Sequence, residues 1–366
     1  MTRRLNRVLM TSDCLGGVWS YTLDLTKGLS ARGVETYLAL LGPPPNPRQY
    51  LALCANSSIT PIETGLPLDW MAASERDLES TTRNLADLAA RFDVDLIHVH
   101  TPGLIGSHPY PAPLISSVHS CATSWWQAVK AGPLPPELRW QRVATARGLE
   151  HAEIVIAPSQ SLAERLRSLH GQQFRIKVVP NGRPLRPRRT NSGNVIFTAG
   201  RMWDPAKNMQ LLDCAAETMD EPIFAAGPWH GPNGEYERFE NLWLLGELPP
   251  DRMARWYEDA AVFASASLFE PFGLAVLEAA MAGAALVLSD IDSFREIWDG
   301  AALFLPADDP PAWTSALQDL VRRPGLAARR AQRAFEIARN YPSGRMVAET
   351  YAIYQDVIRT RGVAAA

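Results

Sequence analysis

Glu270 and Glu278 stand eight positions apart in the run Glu270-Pro271-Phe272-Gly273-Leu274-Ala275-Val276-Leu277-Glu278. The run reads as a loop entering a helix. Pro271 suits a helix start, where its missing N–H costs nothing. Gly273 lets a ligand approach the backbone. Helical N–H groups at such a start, with the positive end of the helix dipole, form an anion site. Glu278 would then lie roughly 7–8 Å along the helix axis. That spacing suits an elongated ligand with hydroxyls at both ends and a phosphate in the middle, the form of a nucleotide sugar. Taken alone, either acid is better explained as a solvated surface Glu. The neighbours change this, because Leu286 to Asp290 reads as a buried strand after Gly283. Glu278 therefore interrupts an apolar helix between two strands, and a buried acid needs a polar partner.

Other chemistry-bearing residues cluster where strands end. Arg201 and Lys207 share the loop after Val195–Gly200. Two cations there suit a diphosphate, Arg by its planar fork and Lys as a point charge. Gly16-Gly17 follow the first strand, and adjacent glycines let backbone N–H groups cup a phosphate. The loop is not Gly-x-Gly-x-x-Gly, which counts against a dinucleotide site. His119 ends the strand from Leu114, at the edge of a parallel sheet where ligands bind. Gly227 ends another strand. Trp125 and Trp126 suit a sugar-stacking platform and core packing equally, and His98 and His100 alternate on one strand as core or rim residues.

The Glu-x7-Glu run with Pro-Phe-Gly-Leu after its first Glu resembles the signature of the retaining glycosyltransferases of family 4 (glycosyl transferases group 1). The resemblance runs from about residue 7 to about residue 358. It implies an α/β chain of the GT-B fold, two Rossmann-like doubly wound parallel-sheet domains facing across a cleft. It implies metal-independent transfer of a sugar, with retention, from a nucleoside-diphosphate-sugar donor (UDP or GDP) to a hydroxyl acceptor on a glycan, lipid or small molecule. No cofactor is expected. The Gly16-Gly17 loop would close over the diphosphate, and His119 would touch the donor sugar. Arg201 and Lys207 match the family's Gly-Arg and Lys-Asn positions and would bind the pyrophosphate. Glu270 would hold sugar hydroxyls, Phe272, Gly273 and Leu274 would offer backbone N–H groups, and Glu278 would bind the ribose. Leu244 to Leu248 resembles the segment walling the base pocket, beside Gly227. Attack would come from the donor's front face, assisted by the leaving phosphate. Two departures stand out: Tyr21 where a His or Arg is frequent, and Ile291-Asp292-Ser293-Phe294 where many members have Gly-Gly. The alternatives are a sugar-nucleotide epimerase of the same fold, a two-domain dehydrogenase that would bind NAD(P), and a partner-dependent, non-catalytic sugar-nucleotide binding protein.

The elements that must position these residues alternate. Strands are expected at Arg7–Met10, Thr36–Leu41, Asp95–His100, Leu114–Val118, Ile154–Ala157 and Lys177–Val179, with a helix from Val18 to Arg32 ended by Gly33. The pattern restarts with strands at Val195–Gly200, Pro222–Ala226, Val262–Ala264 and Leu286–Leu288 and a helix at Met209–Thr218. Such alternation means parallel, doubly wound sheets. Residues 1–182 form a first domain on the acceptor side, 183–192 a proline- and arginine-rich linker, and 193–342 a donor-binding domain. Residues 343–366 read as a terminal helix, which the family resemblance implies crosses back to the first domain. Residues 1–189 carry 21 Lys+Arg against 15 Asp+Glu, and the remainder 15 against 24. The basic half suits an anionic lipid surface or acceptor, although four of its arginines lie near the linker. Four cysteines show no paired spacing, and there is no long apolar run or signal-peptide core. A cytoplasmic protein, at most peripheral to the inner face of a membrane and without a nucleic-acid partner, is expected.

Overall fold

The computed structural model describes residues 4–106, 108–130, 132–185 and 194–364. The chain divides into two compact units, Met1–Asn181 with Ser343–Ala366, and Gly182–Pro342. Most of the expected linker, from residue 186 onward, lies outside the described residues.

The first unit holds seven parallel strands: β1 (Arg7–Ser12), β2 (Glu35–Leu40), β3 (Ile59–Glu63), β4 (Leu96–Val99), β5 (Leu114–Ser117), β6 (Ile154–Ala157) and β7 (Ile176–Val178). Their order is β3-β2-β1-β4-β5-β6-β7. Central strands are apolar on both faces because helices cover both: Val8, Leu9 and Met10 are all fully buried. Strand order reverses between β1 and β4, and the gap opened there is where such sheets bind ligands. β3, which contains Pro61, is not among the strands expected from the sequence. Proline is tolerated there because β3 is an edge strand and one side of its ladder is unpaired.

The C-terminal helix, Ser343–Ala364, belongs to this unit. It buries Met346, Val347, Ile353, Tyr354, Val357 and Ile358 in the same cluster as Val8, Met10, Leu25 and Ile115. Gly28 admits it: a Cβ there would meet Val347 at 2.5 Å. Tyr354 adds a polar tie, its hydroxyl 2.5 Å from His98 Nδ1, while His98 Nε2 lies 2.7 Å from Ser117 Oγ.

The second unit holds β8 (Val195–Ala199), β9 (Ile223–Ala226), β10 (Trp243–Gly246), β11 (Ala260–Ser265), β12 (Ala285–Ser289) and β13 (Leu303–Leu305). They are ordered β10-β9-β8-β11-β12-β13, again all parallel. The reversal falls between β8 and β11. The edge strands β10 and β13 are not among the strands expected from the sequence; neither contains a buried residue.

Tyr354 separates packing from hydrogen bonding. Tyr354→Phe should cost about 1–3 kcal/mol by leaving His98 Nδ1 buried and unpaired. Tyr354→Ala should cost about 3–5 kcal/mol by opening a cavity. Equal urea midpoints for the two variants would contradict this.

Candidate active site

The loops after β8 and β11 leave the sheet on either side of its reversal and are stitched together. Leu268 donates its N–H to the Ala206 carbonyl at 2.8 Å. Asn208 adopts a left-handed conformation, φ 51°, and its amide donates to the carbonyls of Ala266 (3.1 Å) and Ala307 (2.8 Å). Asparagine suits this position because its short polar side chain tolerates that conformation. The stitching sets Lys207 Nζ 2.5 Å from Glu270 Oε2, with the two side chains 17% and 20% exposed. A cation expected on a diphosphate and an acid expected on a sugar are thus neighbours. Arg201 shares the loop. Its Nη2 lies 2.8 Å from Asp204 Oδ2, and its guanidinium sits over the Trp203 ring at 5.6 Å. Asp204 Oδ1 also accepts from the Ala206 N–H at 3.0 Å. The Arg201 Nε is buried without a hydrogen-bond partner.

The helix carrying Glu278 spans Leu274–Ala282. Pro271 does not open it, a correction to the sequence reading. Gly273 is its N-cap, at φ 89°, with no side-chain cap and no acid in the first turn. This left-handed backbone, which a side chain would strain, ends the loop before the helix can begin. Buried Phe294 packs where a Gly273 side chain would lie, 3.1 Å from a Cβ placed there. Ser293 donates its hydroxyl to the Glu270 carbonyl at 2.5 Å. The segment that departs from Gly-Gly therefore supports the Glu270 loop from beneath. Phe272 is buried, edge-on to Tyr341 at 5.6 Å, and Leu274 and Leu248 pack against the same core.

Glu278 has the polar partners its burial demands. Arg183 Nε lies 2.7 Å from Oε1, and the Tyr257 hydroxyl also hydrogen-bonds to the carboxylate. Neither partner was legible in the sequence: Arg183 falls in the expected linker, and Tyr257 stands in none of the motifs singled out there. Gly227 is a site of close backbone approach. A Cβ there would fall 1.8 Å from the Gly200 carbonyl oxygen, and its N–H donates to Gly246 at 2.9 Å.

In the first unit, Gly16 is the N-cap of the helix Gly17–Ser30, at φ 83° and without a side-chain cap bond. Asp13 secures this loop by accepting the Leu15 N–H at 2.7 Å. His119 follows β5, with its ring 4.6 Å from Tyr21 and 5.4 Å from His100. The Nε2 atoms of His100 and His119 are buried without hydrogen-bond partners. Burial pushes His119 down to about 4, and His98 to about 3 with a smaller contribution from His119; it also lowers His100. All three imidazoles are neutral at pH 7. Tyr21 is buried beside Ser117, its hydroxyl 3.4 Å from Oγ. Trp125 and Trp126 are half-buried on the helix Ala122–Val129. Burial raises the Cys14 thiol to about 12 and also raises Cys121, so neither is a thiolate nucleophile.

Two parallel-sheet Rossmann-like units, with cations and carboxylates gathered at the reversal point of the second, define a GT-B glycosyltransferase. Two family profiles agree: Glycosyltransferase Family 4 matches residues 15–186, and Glycosyl transferases group 1 matches residues 193–323. The chain belongs to glycosyltransferase family 4. It is similar to a phosphatidyl-myo-inositol mannosyltransferase of Mycolicibacterium smegmatis, at 26% identity over 94% of this chain and 91% of the relative. It is also similar to a D-inositol 3-phosphate glycosyltransferase of Corynebacterium efficiens, at 23% identity over 93% and 90%. Among solved structures, the fold matches sucrose-phosphate synthase from Thermosynechococcus elongatus with a TM-score of 0.79, at 17% identity, covering 97% of this chain and 100% of that one. It matches Anabaena HepE in complex with UDP-glucose with a TM-score of 0.72, at 17% identity, covering 94% and 99%.

Two predictions follow from this geometry. Asn208→Ala loses two amide hydrogen bonds and forces an alanine into the left-handed region, costing about 2–3 kcal/mol. Asn208→Gly relieves the backbone strain but not the lost bonds, so its urea midpoint should fall between alanine and wild type; an order with glycine no better than alanine would refute the backbone part. The second concerns pH. Imidazoles of the unfolded chain protonate near pH 6.5, while His98, His100 and His119 resist protonation when folded. Stability is therefore full above about pH 6.5 and falls as pH drops toward 4, by up to about 2 kcal/mol per histidine at pH 5. Equal urea midpoints for first-unit unfolding at pH 7.5 and pH 5 would contradict it.

Proposed function

We propose that this chain transfers a sugar from a nucleoside-diphosphate donor to a hydroxyl acceptor, with retention of anomeric configuration and without a bound metal. The observation that carries the reading is the Lys207–Glu270 pair at the reversal of the second sheet, 2.5 Å apart and largely buried. Arg201 and Lys207 supply positive charge for a leaving diphosphate, preorganised by Asp204 and the stitched loops. The open start of the Leu274–Ala282 helix, with the N–H groups of Phe272, Gly273 and Leu274, adds oriented dipoles. Glu270 takes sugar hydroxyls and Glu278 the ribose. Gly227, Gly246 and Leu248 flank the base. In the first unit, the Gly16-Gly17 amides suit a phosphate and neutral His119 suits a sugar hydroxyl. The reacting acceptor hydroxyl attacks from the side the diphosphate leaves, passing its proton to a phosphate oxygen.

Several observations support this assignment. Anabaena HepE, a fold relative, has been seen with UDP-glucose and with UDP and glucose. Two cations, Arg201 and Lys207, stand at the site. The relatives' names point to an inositol-containing hydroxyl acceptor. No described helix is long and apolar enough to cross a membrane. The basic first half suits a cytoplasmic enzyme meeting an acceptor at an anionic surface.

UDP, GDP, ADP and NAD(P), each with and without EDTA, discriminate the readings. One diphosphate should raise the melting temperature, by the equivalent of about 2.7 kcal/mol at a hundred times its dissociation constant, and EDTA should not reverse it. Lys207→Ala and Glu270→Ala should each lower transfer about 100-fold or more with the fold intact. Stabilisation by NAD(P) alone, or unchanged turnover in both variants, would overturn the proposal. Donor conversion without any acceptor would make the chain an epimerase.

A further inference from the structure

Glu278 lies in a helix whose other residues are almost all apolar, and Val276, Leu277, Ala279, Ala280 and Met281 are buried. Its side chain is 26% exposed. An ionised carboxylate so placed adopts the orientation its partners impose. Those partners come from elsewhere in the unit. Tyr257, on the helix Pro250–Asp259, is buried. Burial raises its phenol well above the ordinary range and the Glu278 charge raises it further, so the hydroxyl remains a hydrogen-bond donor. Arg183 comes from the segment by which the chain enters the second unit. Its N–H donates to the Tyr341 carbonyl at 3.1 Å, and it forms a parallel bridge with Pro342, where the chain leaves that unit. Tyr341 in turn packs on Phe272, within the Glu270–Glu278 run. The entering and leaving segments are thus fastened to each other and to the candidate site.

We propose that Arg183 is a positioning residue which, with the Tyr257 hydroxyl, fixes the Glu278 carboxylate so that its remaining acceptor positions are held for the two ribose hydroxyls of the donor nucleotide. This rests on the reading of Glu278 as the ribose-binding acid. A carboxylate offers about four lone-pair positions. The Arg183 ion pair and the Tyr257 phenol engage one side of the carboxylate, and a vicinal diol requires two acceptor positions. Arginine suits the task because its planar group is always charged and gives direction where an ammonium gives a point charge. Hydroxyls that donate to a carboxylate make charge-assisted hydrogen bonds, which are the stronger ones.

The test is calorimetric titration of the full chain with UDP, GDP and their 2′,3′-dideoxy forms. Wild type should bind the ribonucleotide of its preferred base roughly 10–100-fold more tightly than the dideoxy form, the effect of hydroxyls bonded to a charged group. In Arg183→Met the ribonucleotide should weaken about 10-fold and the dideoxy form little, so the ratio collapses toward one. Transfer should show a raised donor KM with kcat much less affected. Arg183→Lys should recover part of the ratio, and Tyr257→Phe should lower it on its own. If Arg183→Met keeps the wild-type ratio, or weakens both forms in parallel, the positioning role is wrong. If wild type binds a diphosphate tightly yet does not distinguish ribose from dideoxyribose, the role of Glu278 is wrong. If wild type binds neither diphosphate, the proposed function fails with it.

Discussion

The sheet of the second unit reverses its strand order between β8 and β11, and most of the candidate site depends on how that gap is closed. Helices leaving these strands go to opposite faces, so no regular structure spans the space between the strand ends. Here the closure is made by backbone and side-chain amide bonds at Ala206, Asn208 and Leu268, with one ion pair, Lys207–Glu270. An exposed pair of this kind contributes little. This one is four-fifths buried, and each partner would be costly to leave alone. The arrangement therefore favours keeping both charges, and it keeps them within reach of a ligand at the sheet edge. Asp204 serves Arg201 similarly while also capping the turn that delivers Lys207.

The first unit solves its reversal point by different means. Between β1, β4 and β5 it places His98, His100, His119, Tyr21 and Ser117, joined by hydrogen bonds and edge-on ring contacts. These five groups are neutral at pH 7, so they offer hydrogen-bonding capacity without charge. Charge is concentrated in the unit that would hold the diphosphate. The tie from His98 to Tyr354 extends this network to the C-terminal helix, so the last element of the chain helps to set the rings that end β4.

Much of this was legible in the sequence, for identifiable reasons. Central strands announce themselves because burial on both faces demands uninterrupted apolar runs, as in Leu286–Leu288. Residues at strand ends, such as Arg201, Lys207, His119 and Glu270, stand out because polar groups follow such runs abruptly. Three edge strands were lost: β3 contains a proline that an edge tolerates, and β10 and β13 contain no buried residue. The exact helix start at Leu274 was also lost, since Pro271 mimics an N-terminal signal while the left-handed Gly273 sets the boundary. Partners distant in sequence gave no signal. Arg183 and Glu278 are ninety-five positions apart, and nothing local in a proline- and arginine-rich stretch marks one arginine as the counter-ion of a helical acid.

The two glutamates of the run end in unlike settings that serve one arrangement. Glu270 is in a loop before the helix and is held by a cation from the β8 loop. Glu278 is within the helix and is held by a cation from the chain's entry into the unit. Acids near a helix start ordinarily interact with its dipole and cap its amides. Here the first turn contains no acid and the N-cap is a glycine without a side chain. With both carboxylates engaged by cations from other segments, the positive end of the helix is left to an external anion. Under the proposed function, the eight-residue spacing would put one acid on each side of a bound anion, far enough apart to contact the two ends of one ligand.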